Sequence, residues 1–65
     1  MKNNIRVERA IKKITQQDLA NLCGVSRQTI NAIETERFVP STVLALKIAR
    51  VFSKTVNDLF VLEND

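Results

Sequence analysis

Thr15-Gln16-Gln17-Asp18-Leu19-Ala20-Asn21-Leu22-Cys23-Gly24-Val25-Ser26-Arg27-Gln28-Thr29-Ile30-Asn31-Ala32-Ile33-Glu34-Thr35 is the stretch on which the fold turns. It reads as two short helices joined by a tight turn. The Thr15 hydroxyl caps the first helix, with Asp18 three residues on, a capping box that uses Asp in place of Glu. Leu19 and Cys23 fall on one helical face, and the small Ala20 lets a second helix cross closely. Gly24, the chain's one glycine, supplies the positive φ that stops a helix and turns it sharply. Val25 plugs the turn. Ser26 caps the second helix, whose Ile30 and Ile33 share a face and pack back onto the first.

Working outward, the segment from Asn4 to Lys13 predicts a helix with Val7, Ala10, Ile11 and Ile14 as its apolar face. Pro40 and Ser41 open a fourth helix, with Ser41 as its cap. That helix is apolar at Val43, Leu44, Ala45, Leu46, Ile48, Ala49, Val51 and Phe52, which predicts burial on more than one side. Thr55 and Asp58 repeat the cap-and-acid spacing and start a short fifth helix ending near Phe60. The tail from Val61 to Asp65 reads equally as frayed helix or short strand. The expected architecture is one all-α domain of five helices over residues 1–65.

At 45% apolar and 26% charged residues the composition is that of a folded globule, not a disordered chain. So short a chain buries a modest core, and self-association is a natural supplement. No apolar run exceeds the four residues of Val43 to Leu46, far below the ~20 residues of a membrane span, and Met1-Lys2-Asn3-Asn4 leads into no signal-peptide core. A cytoplasmic protein follows as the simplest expectation. With no histidine and one cysteine, the chain offers no metal-ligand set, no cofactor motif and no groups for acid–base or nucleophilic chemistry, which argues against an enzyme. Cys23 reads as a small core residue. No small-molecule site is evident.

The net charge of +3 is unevenly placed. Residues 1–37 carry seven basic side chains against four acidic ones, while residues 38–65 are balanced at three each. The excess sits with the two-helix unit, as suits a polyanionic partner. RNA is the poorer fit, since neither stacking aromatics nor an RNA-binding strand pattern is present.

The conjunction of features over Gln16 to Thr35 fits a helix-turn-helix. The wider chain resembles the phage repressor/Cro (XRE-like) family and its short cytolysin-repressor type. The resemblance rests on Ile14-Thr15-Gln16-Gln17-Asp18-Leu19-Ala20, Gly24-Val25-Ser26-Arg27-Gln28-Thr29-Ile30, Ile33-Glu34, Pro40-Ser41, Ala45-Leu46-Lys47-Ile48-Ala49 and Asp58-Leu59-Phe60. It implies a λ-repressor-like five-helix fold whose third helix enters the major groove of double-stranded DNA. It also implies an ion pair between Arg9 and Glu34, and phosphate contacts from Thr35 and Arg37 in the loop after the third helix.

With Ile30 and Ile33 facing inward, Arg27, Gln28 and Asn31 become the expected base readers. Arginine grips guanine with two hydrogen bonds, and glutamine or asparagine does so for adenine. Outside this motif the same three residues would describe nothing more than a solvated helix face. Gln16, at the start of the second helix, is expected on a phosphate beside backbone N–H groups, with Ser26 and Thr29 as auxiliary contacts. One recognition helix reads too few base pairs to find a genomic site, so a homodimer on a palindromic operator, acting as a repressor, is expected. Its interface would draw on Leu46, Arg50, Phe60, Val61 and Leu62. The alternative is an antitoxin or regulatory adaptor that uses the same fold mainly to hold a protein.

The chain departs from the family where Lys13, Glu36 and Ser53 replace frequent glycines. Left-handed backbone there would cost about 1 kcal/mol each, so connections of a different shape are expected. Glu8 replaces a leucine-like residue, which leaves the rotation of the first helix open. Thr35-Glu36 replaces a common Asn-Gly and brings acidity towards the expected phosphate path.

Overall fold

Residues 1–63, which the computed structural model describes, form five short helices and two minimal strands. In chain order these are β1 (Lys2–Asn3), α1 (Ile5–Lys12), α2 (Gln16–Cys23), α3 (Arg27–Glu34), α4 (Thr42–Phe52), α5 (Val56–Leu59) and β2 (Phe60–Val61). Each of α2 to α5 starts at a hydroxyl residue. Thr15, Ser26, Ser41 and Thr55 accept the backbone N–H three residues on, and Asp18 and Asp58 return the bond at α2 and α5. The caps satisfy N–H groups that a helix leaves unpaired, worth about 1 kcal/mol each.

The ends of α1, α2, α3 and α4 close alike. The N–H groups of Ile14, Val25, Arg37 and Lys54 reach back to the carbonyls of Arg9, Ala20, Ala32 and Ala49 at 2.9–3.1 Å. The residue before each donor is left-handed: Lys13 (φ 61°), Gly24 (φ 72°), Glu36 (φ 65°) and Ser53 (φ 54°). This is the six-to-one closure that glycine favours. Three of the four ends achieve it without glycine, contrary to the expectation of differently shaped connections. The paired carbonyls hold the backbone in place against the cost of a left-handed conformation at residues with a Cβ.

The core joins Ile5 of α1, Leu19, Ala20 and Cys23 of α2, and Ile30 and Ile33 of α3. Leu44, Ala45, Ile48, Ala49 and Phe52 of α4 complete it with Leu59 and Phe60. Burial pushes the Cys23 thiol up, with Lys47 offsetting part of the effect, so the sulfur stays an unreactive packing atom.

Two expectations are corrected. On α1, Val7, Ala10 and Ile11 are exposed and only Ile14 of the expected face is partly buried. The inward side carries Ile5, Glu8 and Arg9, because the helix is fixed by polar partners: Arg9 meets Glu34, and Glu8 lies 4.0 Å from Lys54. α4 buries one side only, leaving Val43 and Leu46 exposed. The five-helix architecture stands as expected, with a short C-terminal strand: β2 pairs antiparallel with β1, Lys2 opposite Val61 and Asn3 opposite Phe60. Val61 is therefore strand; Asn64 and Asp65, the end of the ambiguous tail, lie outside the described residues.

Candidate nucleic-acid interface

The placement of α3 follows from its inward face. Ile30 and Ile33 are fully buried against Leu19 and Cys23, a burial worth about 1.5–3 kcal/mol per side chain. With that face fixed, Arg27 and Gln28 are exposed and Asn31, three residues on from Gln28, is half-buried beside them. They line an open depression of about 380 Å³ together with Ala32 and Arg37. Arg37 arrives from the loop, its Nε donating to Thr35 Oγ1 at 3.0 Å. The Thr35 hydroxyl in turn donates to the Asn31 carbonyl at 2.8 Å. Ser26 and Thr29, at the start of α3, hold each other at 3.0 Å between hydroxyls.

Behind this surface lies a polar cluster around Glu34, whose side chain is 0% exposed. Arg9 donates from Nε to Glu34 Oε2 at 2.6 Å, from Nη2 to Oε1 at 3.1 Å, and from Nη1 to the Ile14 carbonyl at 3.1 Å. Gln16 Nε2 donates to Glu34 Oε1 and to Asn31 Oδ1, both at 3.2 Å. Burial alone would push the Glu34 carboxyl up. Hydrogen bonds from Arg9 and Gln16, with the charges of Arg9 and Arg6, outweigh it and hold the group below its ordinary value. The Glu34 hydrogen bond also raises the Arg9 guanidinium, against the opposing effect of burial.

Gln16 therefore differs from its expected geometry. Both amide hydrogens are taken by protein acceptors, which leaves the side chain no free donor for a phosphate. The reason is the buried carboxylate, a stronger acceptor than a solvent-facing site. Two residues at this cluster escaped sequence reasoning. Asn3 donates from Nδ2 to the Ile33 carbonyl at 2.9 Å and accepts from the Ile5 N–H, joining β1 to the last turn of α3. Arg6 places Nε 3.7 Å from Glu34 Oε1 while largely exposed. Its spacing of three from Arg9 puts the two on one helical face, a signal that could have nominated it.

Elsewhere on the surface, Leu46, Arg50, Val61 and Leu62 are exposed. Leu46 and Arg50 border one depression and Leu62 another, and the two share Val56 and Asn57. Phe60, at 7% exposure, packs into the protein's own core from β2 and also lines the depression that Leu62 borders.

The helix-turn-helix family profile matches residues 5–59, all five helices from α1 to α5. The chain belongs to the helix-turn-helix family. Among its relatives, an uncharacterized HTH-type transcriptional regulator of Methanocaldococcus jannaschii is 49% identical over 65 residues, covering 100% of this chain and 98% of that one. The uncharacterized HTH-type transcriptional regulator YgzD of Bacillus subtilis is 45% identical over 65 residues, again with 100% and 98% coverage. A crystal structure of the hypothetical transcription factor NHTF from Neisseria superposes with a TM-score of 0.80 at 27% identity, covering 92% of this chain and 69% of that one. The chain is thus a member of the XRE-like DNA-binding transcriptional regulators, a family of regulators and not a class of enzymes. Among the described residues no helix is long and apolar enough to cross a membrane.

Proposed function

We propose that this helix-turn-helix protein is a sequence-specific repressor, a single domain over residues 1–65 that binds a palindromic operator as a homodimer in the cytoplasm. The observation that carries the reading is the shared depression on α3, where Arg27, Gln28, Asn31 and Arg37 converge while Ile30 and Ile33 anchor the helix from behind. Arg27 and Gln28 supply bidentate base contacts. Arg37 and the free backbone N–H groups of Gln16 and Gln17, in the first turn of α2, meet phosphates. Ser26, Thr29 and Thr35 border that path.

The homodimer reading draws on the exposed apolar side chains Leu46, Val61 and Leu62 beside Arg50. Two-fold symmetry would place two copies of α3 one DNA turn apart, about 34 Å. The test is binding to random duplex across a salt series, followed by selection of preferred sites. Affinity falling steeply with salt, and selected sites that are palindromic, are the expected results. No binding to duplex at 50–100 mM salt would replace this reading with that of an antitoxin or adaptor whose fold holds a protein.

A further inference from the structure

The cluster behind α3 has a direction. Arg9 carries only donors, so Glu34 must face it with acceptors. Glu34 Oε1 then faces Gln16, whose amide turns Nε2 towards it. The reversed amide would set its carbonyl against a buried carboxylate, oxygen to oxygen. With Nε2 turned inward, its second hydrogen points to Asn31, and Asn31 answers with Oδ1 at 3.2 Å. Asn31 lines the depression with Arg27, Gln28 and Arg37, so an Oδ1 turned back to Gln16 leaves Nδ2 as the amide's outward group. Donor and acceptor alternate from Arg9 through Glu34 and Gln16 to Asn31, and the sense of each bond fixes the next.

We infer that Gln16 is a positioning residue that makes Asn31 a hydrogen-bond donor towards DNA, selecting guanine over adenine at the base pair Asn31 reads. The inference rests on α3 being the base-reading helix. A free asparagine reads adenine by presenting Oδ1 and Nδ2 side by side, one to the N6 amino group and one to N7. Here Oδ1 is directed back at Gln16 Nε2, so, even with its second lone pair unused, it is not set beside Nδ2 to meet adenine's amino group. Guanine offers two acceptors, N7 and O6, on the same groove edge, and the two outward hydrogens of Asn31 match them. The buried Arg9–Glu34 pair is what keeps the Gln16 amide from turning round, and so sets the base preference from inside the protein.

The test is selection from a random duplex library with the unsubstituted chain, Asn31→Ala and Gln16→Met, read as base preference per position and as salt dependence. The unsubstituted chain is expected to select guanine at one base pair of each half-site, a preference that Asn31→Ala removes. In Gln16→Met that base pair shifts towards adenine by about tenfold, while other positions and the salt slope hold. Uniform weakening in Gln16→Met, with guanine retained and a shallower salt slope, would make Gln16 a phosphate ligand and overturn the inference. Adenine at the Asn31 position in the unsubstituted chain would overturn it as well. An unsubstituted chain that binds every duplex equally would overturn it at its base, through the loss of α3 as a reader. Side-chain amide hydrogen exchange supplies a readout that needs no variant. Slow exchange of the Gln16 amide beside fast exchange at Asn31 is expected, and the reverse order would overturn the orientation.

Discussion

Arg9 and Glu34 meet in two parallel hydrogen bonds, Nε to Oε2 at 2.6 Å and Nη2 to Oε1 at 3.1 Å, which tie α1 to the last residue of α3. The carboxylate is buried, so removing one partner leaves an uncompensated charge. Arg9→Met is expected to lower stability by about 3 kcal/mol in urea unfolding, whereas Arg9→Met with Glu34→Leu together should recover most of that loss. A double variant no more stable than the single one would mean that the pair matters for more than its own charge.

The same carboxylate sets an acid limit. Its folded pKa lies below the ordinary 4.5, so its contribution is complete above that pH and is lost as pH falls through the folded value. Asp18 and Asp58 act in the same sense, held down chiefly by backbone hydrogen bonds from Thr15 and Thr55. Unfolding midpoints in urea are expected to stay level from about pH 7 to 5 and to decline below about pH 4. Glu34→Gln should be less stable than the unsubstituted chain at pH 7, and the gap should narrow as pH falls.

The left-handed residues provide a test of the opposite sign. Lys13→Gly and Ser53→Gly should each stabilise by about 0.5–1 kcal/mol, because relief of left-handed strain exceeds the added entropy of the unfolded chain. Gly24→Ala should cost about 1 kcal/mol. A Cβ at Gly24 meets nothing within 4 Å, so that cost is backbone strain without a clash. Thermal unfolding reads all three.

How far the chain could be read without its structure depended on how local the cause was. Caps at Thr15, Ser26, Ser41 and Thr55 need three residues of context and were legible, as was the inward pair Ile30 and Ile33. The face of α1 was not, because apolar periodicity picked Val7 and Ile11 while the helix is held by Glu8 and Arg9 through partners 46 and 25 positions away. β1 is two residues long and pairs with a segment at the far end of the chain, so no periodic pattern announces it. At the candidate site, the outward face of α3 could be read from spacing. The turning of Gln16 away from solvent could not, since it depends on a carboxylate 18 residues on.

Dimer formation is tested at Leu46, exposed on α4. Leu46→Glu should leave the thermal midpoint of the isolated fold nearly unchanged, because the side chain is outside the core. In analytical ultracentrifugation it should shift the chain from dimer to monomer, and its affinity for a two-half-site duplex should drop at least tenfold. An unsubstituted chain that sediments as a monomer at high micromolar concentration would rule the homodimer out.

The central claim, that the outer face of α3 reads base sequence, is tested most directly by competing selected against random duplexes for the unsubstituted chain, Arg27→Ala and Gln28→Ala. Each variant is expected to lose preference at its own base pair, a loss of about 1–3 kcal/mol in discrimination, while its affinity for random duplex changes far less. Full sequence preference retained in both variants would contradict the account.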